Sequence, residues 1–415
     1  MEKKIEIVRL DHNGRGIGYL EGKITFVPNT LPGEIVEIET IKEKKNLIEA
    51  KVNKYVLCSK DRIDVECPYY SYCGGCNLMH LEYKNQLKYK KEKGIDILKR
   101  FGGVDIKQNV NILESPHFYY RNKVVFHVKN GKIGLYEEDS HHLVEIEKCM
   151  LLHPKINELL TKLKTVNFLN SVEKIMIRVF QNGKDSQIVF YPQENIPKEE
   201  IIHSLKNSVT SIYVDNQCIY GNSEICEKIG DRIYSVLPKS FFQVNSIAVQ
   251  TLYDEVKNYL GPQPTDKVLD LYCGAGTIGL YIAPYVKFVY GIEIVKEAID
   301  SANKNKELNR ISNIQFFVGD TKEVLKKENL MVNKIIVDPP RSGLDSKTKE
   351  YLKTLKPEKI VYVSCNPITL ARDIKELNHT YQFSKITFVD MFPNTDHVES
   401  VCLLVLKTKN MNGCE

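Results

Sequence analysis

"KVLDLYCGAGTIGLYIA", residues 267–283, is the stretch that decides the fold. A short apolar strand runs into "GAGTIG" at 274–279, which fits the pattern G-x-G-x-x-G between a strand and a helix. Working outward, the alternation repeats: "FVYGIEI" at 288–294, "EAIDSANKNKELNR" at 297–310, "IQFFVGD" at 314–320, "KIIVDPPRSG" at 334–343 and "KIVYVSCNP" at 359–367. Apolar strands alternating with helices predict a parallel sheet covered on both faces, a Rossmann-like α/β domain over 241–415. Ligands of such sheets gather at the carboxyl ends of the strands, so the residues that close each strand form the candidate site.

Two nucleotide cofactors compete for the glycine motif. Glu293 closes the second strand as a ribose-binding acid would, and on this motif alone a dehydrogenase is a legitimate rival. Three features favour S-adenosylmethionine. Asp270 precedes the loop, where methyltransferases commonly hold the methionine end; Asp320 ends the third strand, where an acid meets the adenine; "DPP" ends the fourth. Gly274 and Gly276 let the main chain approach the cofactor, and Glu293 can accept hydrogen bonds from both ribose hydroxyls. Each acid taken singly reads equally well as a helix N-cap, so the set carries the argument.

The chain has 415 residues, room for two or three domains, and its 42% hydrophobic content is ordinary for a soluble protein. It has no apolar run of membrane-spanning length, and "MEKKIEIVRL" lacks the apolar stretch of a signal peptide, so a cytoplasmic location is expected and a membrane partner is not. Eleven cysteines in such a chain point to metal ligation or thiolate chemistry rather than disulfides. The net charge of +5 leans weakly toward a polyanionic partner.

Residues 1–57 alternate short β-rich runs with turns, the pattern of a small closed, OB-like barrel. Next comes "CPYYSYCGGC" at 67–76, and "EKCMLLHP" supplies one more thiol at 149. Cys67, Cys73, Cys76 and Cys149 could close a four-thiolate site, for which iron–sulfur and zinc are both suited. "EYKNQLKYKKEKGIDILKRFGG" at 82–103 predicts a helix with a lysine-rich side, a charge run that usually means a solvated face. The segment that follows, 119–146, alternates like antiparallel strands and sets Arg121 and Lys123 beside Tyr119 and Tyr120, which suits stacking and phosphate contact. A central α+β domain over 58–240 is the resulting expectation.

"VYVSCNPITLARD" at 361–373 sets Cys365 where a buried strand must stop, since Pro367 cannot continue it. A lone cysteine is usually core filler. Here it stands on a ligand-binding strand end. Many methyltransferases acting on exocyclic nitrogens carry an aromatic residue after D/N-P-P, whereas this chain has Arg341. A thiol suggests covalent catalysis instead. Carbon 5 of uracil is a poor nucleophile until a thiolate adds to carbon 6 and converts the ring to an enolate. A base must then remove the proton at carbon 5, and "FPNTDHVESV" at 392–401 offers Asp396, His397 and Glu399 on a strand.

"DLYCGAGTIGL", "DPPRSG", "SCNP" and "FPNTDHVE", in this order, resemble the RNA uracil-5-methyltransferase family. The stretch "DHNGRGIGYLEGKITFVPNTLPGE" at 11–34 resembles a TRAM domain. Barrel and cysteine cluster together are similar to the branch that modifies 23S ribosomal RNA and carries a 4Fe-4S cluster. By that resemblance Cys365 is the nucleophile and Glu399 the base, while Gln243 of "FFQVN", Tyr272, Glu293 and Asp338 contact S-adenosylmethionine. Cys67, Cys73, Cys76 and Cys149 would hold the cluster, with zinc as alternative occupant. The expected partner is RNA, ribosomal RNA first, with no DNA, bound by a monomer. Two other functions stay open: a tRNA-directed enzyme of the same chemistry, and a non-catalytic RNA-binding iron–sulfur protein. Retention of the cysteine, proline and glutamate motifs argues against the second.

Overall fold

The computed structural model describes residues 3–106, 109–180, 183–328 and 330–407, which form four sheets. The first has six strands, Lys3–Glu6, Arg9–Leu10, Gly16–Leu20, Lys23–Val27, Ile35–Lys44 and Leu47–Leu57. It closes because the first run of sequence breaks in two. Lys3–Glu6 pairs with the start of Ile35–Lys44, and Arg9–Leu10 turns to pair with Gly16 and Ile17. The approach is tight at Gly18, where a Cβ would stand 2.6 Å from the carbonyl oxygen of Glu6. Ile5, Ile7, Val27, Val36, Ile38 and Ile48 fill the interior.

A seven-stranded sheet follows, in the order Leu143–Glu145, Lys132–Tyr136, Lys123–Lys129, Val172–Phe180, Asp185–Pro192, Ser211–Val214 and Gln217–Gly221. Its core gathers strand residues such as Phe126, Ile175, Ile177 and Phe190 with Ile156, Leu159 and Leu160 of helix Pro154–Leu163 and Ile201 and Leu205 of helix Lys198–Leu205. The hairpin Ile225–Ile229 and Arg232–Val236 forms a separate pair of strands and leads, through 237–245, into helix Ser246–Leu260.

The largest sheet has eight strands in the order Ile314–Val318, Phe288–Glu293, Lys267–Leu271, Lys334–Val337, Lys359–Ser364, Glu399–Leu406, Tyr381–Val389 and Asn111–Leu113. The five strands from Ile314–Val318 to Lys359–Ser364 are parallel; Glu399–Leu406 runs antiparallel to both neighbours. Strand order reverses between Lys267–Leu271 and Lys334–Val337, which opens the ligand crevice there. Helix Tyr83–Gly102, closed by Gly103 in the left-handed region, packs on this sheet's side of the molecule through Ile97 and Leu98. Its lysine-rich face is not simply solvated: Lys90 is fully buried 2.5 Å from the equally buried Asp390. Among the described residues, no helix is long and apolar enough to cross a membrane.

Candidate active site

Strand register sets the reaction centre. In the antiparallel pair of Lys359–Ser364 with Glu399–Leu406, Ser364 lies opposite Ser400, and the Ser400 hydroxyl donates to the Ser364 carbonyl at 3.0 Å. Cys365 follows Ser364 and Glu399 precedes Ser400, so the antiparallel pairing delivers both to the same end of the sheet. Beyond Cys365 the chain becomes helix Pro367–Leu377, capped by Asn366, whose side-chain oxygen accepts from the Ile368 amide at 3.1 Å. The Asn366 amide and the Thr369 hydroxyl both donate to the Arg341 carbonyl, at 3.1 and 3.2 Å. The loop of Asp338–Arg341 is thereby tied to the loop of Cys365.

Electrostatics reveal the same grouping. Glu399 is buried, and burial pushes its carboxyl up to about 8; Asp338 acts in the same direction and Arg341 against it. Burial raises Asp338 to about 7. Burial, then Glu399 and Asp338, raise the Cys365 thiol to about 11, and Arg341 opposes them. One thiol, two carboxyls that titrate near neutrality and one guanidinium thus share a site. Such a carboxyl is suited to accept a proton at physiological pH.

The cofactor side lies at the switch point. The Asp270 carboxylate accepts from the Gly279 amide at 2.9 Å, which anchors helix Thr277–Ile282, while its second oxygen is buried without a partner and burial pushes the group up to about 8. That orphaned oxygen fits the ammonium of a bound S-adenosylmethionine. Gly274, at φ +54°, faces open space, and its amide donates to Glu293 at 3.3 Å. Gly276 has a second reason to be glycine: at φ +74° a Cβ would stand 2.5 Å from the Phe316 ring.

The other expected residues are distributed as follows. Tyr272 donates to Asp345 at 2.8 Å, at the mouth of the same crevice. Asp320 accepts from the Lys322 amide at 3.0 Å, doing the work of an N-cap for helix Thr321–Glu328. Gln243 lies in segment 237–245, where its carbonyl accepts from Asn122 at 3.2 Å. Asp396 and His397 are not on a strand, because Pro393 and Asn394, at φ +66°, keep 390–398 a loop and pairing begins at Glu399. Asp396 is engaged by Lys93 and Asn77, and the His397 ring sits edge-on to Phe392. Of these three residues, Glu399 alone bears electrostatically on the Cys365 thiol.

Sequence reasoning missed several contributors. Arg341 bears on both Cys365 and Glu399, and its place after "DPP" was the available signal. Arg178, fully buried on the central sheet, donates to the carbonyls of Leu237 and Ser240 at 2.9 and 2.8 Å and so fixes the segment that carries Gln243. Phe241 in that segment is 78% exposed, an open ring able to stack.

The four thiols expected to act together influence one another electrostatically, and three of them share one small core. Cys67, Cys76 and Cys149 pack around Met79, Tyr120 and Leu151. Burial pushes the Cys76 thiol up, and Cys149, Cys73 and Cys67 add to it; burial and Cys67 raise Cys73. Asn157 braces the Cys149 loop, donating to its carbonyl at 3.0 Å and accepting from its amide at 2.8 Å. Among the described residues, no three His, Cys, Asp or Glu side chains are set to hold a single metal ion. A four-iron cluster would be held by thiolates that each bind a different iron.

Sheet order, switch-point crevice and glycine loop define a class I S-adenosylmethionine-dependent methyltransferase. Residues 202–407 match the tRNA (Uracil-5-)-methyltransferase family, and residues 2–52 match the TRAM domain. An uncharacterized RNA methyltransferase of Caldanaerobacter subterraneus is 37% identical over 97% of each chain, and one of Halalkalibacterium halodurans is 33% identical at the same coverage. The crystal structure of Pyrococcus abyssi tRNA (uracil-54, C5)-methyltransferase with S-adenosyl-L-homocysteine superposes with a TM-score of 0.80 at 29% identity, covering 97% of this chain and 99% of that one. The chain belongs to the RNA uracil-5-methyltransferase family, with an N-terminal TRAM domain.

Proposed function

We propose that this enzyme methylates carbon 5 of uridine in 23S ribosomal RNA through a covalent bond between Cys365 and the target base. The observation that carries the reading is the pairing of a strand-end thiol with a buried carboxyl across one sheet register, flanked by Asp338 and Arg341. The Cys365 thiol gives up its proton to solvent, the thiolate adds to carbon 6, and the electrons of the carbon 5–carbon 6 double bond, displaced toward the carbonyl, make carbon 5 nucleophilic. S-adenosylmethionine supplies, when bound, the electrophilic methyl group that carbon 5 takes. Glu399 then removes the proton on carbon 5, and the electron pair left behind re-forms the ring double bond as the sulfur departs. Gln243, Tyr272, Gly274, Gly276, Glu293, Asp320 and Asp338 are proposed to hold the cofactor. The proposed division of labour is 1–57 and 58–240 for RNA and 241–415 for catalysis, with helix Tyr83–Gly102 and strand Asn111–Leu113 completing the catalytic sheet.

The barrel and the four gathered thiols support a ribosomal substrate. The likeness to the Pyrococcus abyssi tRNA enzyme favours a second reading, in which a tRNA uridine is the target. Mass mapping of 5-methyluridine in cells lacking the protein separates them. Loss from 23S RNA alone upholds the first reading, loss from tRNA alone selects the second, and unchanged 5-methyluridine in both removes both.

We infer further that Cys67, Cys73, Cys76 and Cys149 hold a 4Fe-4S cluster, zinc being the rival occupant. Its role is structural, because methyl transfer to an enolate moves no net electrons. Anaerobically purified protein is expected to be brown and to contain iron and acid-labile sulfide in near-equal amounts. Cys73→Ser should weaken RNA binding or folding while leaving S-adenosylmethionine affinity nearly intact. Stoichiometric zinc without sulfide would refute the iron assignment.

A further inference from the structure

We propose that Asn77 is a positioning residue for Glu399, holding loop 390–398 against the N-terminal barrel; the inference rests on Glu399 being the base. The loop joins strand Tyr381–Val389 to strand Glu399–Leu406 and ends directly at the carboxyl. It is held largely by residues about 300 positions earlier. The Asn77 side chain uses its whole amide here: its oxygen accepts from the Asp396 main chain at 2.9 Å, and its nitrogen donates to the Asp396 carboxylate at 2.9 Å and to the Asn13 carbonyl at 3.0 Å. The main-chain amides of Asn77 and Leu78 both donate to the Asn394 carbonyl, at 3.2 and 3.0 Å. Gln86 grips Asn394 from another side, accepting from its amide at 2.9 Å and donating to its side chain at 3.0 Å.

Asn13 belongs to a barrel turn that is itself rigid, with the Asp11 carboxylate accepting from the amides of Asn13 and Arg15 at 2.9 and 2.8 Å. Barrel turn, Asn77 and the loop leading to the base therefore form one hydrogen-bonded unit. Cys365 stands on a different loop, tied to Arg341 by Asn366 and Thr369. Loosening the Asn77 clamp should displace the base and leave the nucleophile alone. That separation is what distinguishes positioning from general support of the fold, which would impair both halves of the reaction.

The test is Asn77→Ala in the full-length protein, read in two independent ways. Hydrogen exchange of peptides spanning 390–398 should quicken about tenfold, the size expected for losing partly buried hydrogen bonds to a loop. RNA carrying 5-fluorouridine should still form its adduct within about twofold of the wild-type rate, while release of methylated uridine RNA slows roughly tenfold and the methylated adduct accumulates. Asn77→Asp should be worse, by setting two carboxylates face to face, and adding Asp396→Asn should recover part of the loss by restoring a donor opposite an acceptor. Unchanged exchange in 390–398 overturns the proposal, as does faster exchange with normal release, or equal slowing of adduct formation and release. A wild-type protein that forms no adduct with 5-fluorouridine RNA would instead count against the covalent mechanism, and the exchange result still decides whether Asn77 holds the loop.

Discussion

Cys365→Ala is expected to abolish methylation and the covalent complex together. With 5-fluorouridine in the target RNA, the wild-type enzyme should stall as a protein–RNA adduct stable to denaturation, because fluorine at carbon 5 cannot leave as a proton does. The alanine variant has no atom that can add to carbon 6, so carbon 5 keeps its weak nucleophilicity. Loss of a covalent nucleophile of this kind costs roughly 10⁴-fold or more in turnover. Folding should survive, because Cys365 is only partly buried and the cap of the following helix is made by Asn366. Binding of S-adenosylmethionine, measured by calorimetry, serves as the control. A variant that still methylates would sink the mechanism.

Glu399→Gln should divide the reaction in two. Methyl transfer needs the thiol, and only elimination needs the base, so methylated RNA should accumulate bound to the variant while free product falls roughly 10²-fold to 10⁴-fold. The substitution suits the site. Burial pushes the Glu399 carboxyl up to about 8, so the folded protein favours its neutral form. The sign follows: stability associated with the neutral carboxyl is full below the unfolded value near 4.3 and is lost as pH rises toward about 8. Glutamine, which stays neutral, should therefore leave the fold no less stable at pH 8. Catalysis has the opposite slope, since the carboxylate is the working form: wild-type product release should rise with pH and level off above about 8, a limb that the glutamine variant lacks. Free product at the normal rate would move the base elsewhere, with His397 next in line.

Much of this site is local and so was legible in the chain. A strand, a glycine turn and a helix follow one another within seventeen residues at 267–283, and the rule that ligands sit at strand carboxyl ends then points to Asp270, Glu293, Asp320, Asp338 and Cys365 without any tertiary information. The lysine-rich helix shows where that reading fails. Its charge run implies a solvated face, yet Lys90 is buried against Asp390 and Lys93 reaches Asp396, because each finds a carboxylate about 300 residues away.

Periodicity and residue type suffice for the α/β architecture, the barrel and the chemistry available at each strand end. Only the tertiary structure decided which groups meet. The register of Ser364 on Ser400 brings Cys365 to Glu399, Asn366 and Thr369 bind the Arg341 loop, and Arg178 holds the segment of Gln243. Asn77 reaches Asp396 across 319 positions. Such contacts leave no trace in local periodicity, because strand register and long-range hydrogen bonds are set by how complete elements pack, and only the folded chain supplies the partner.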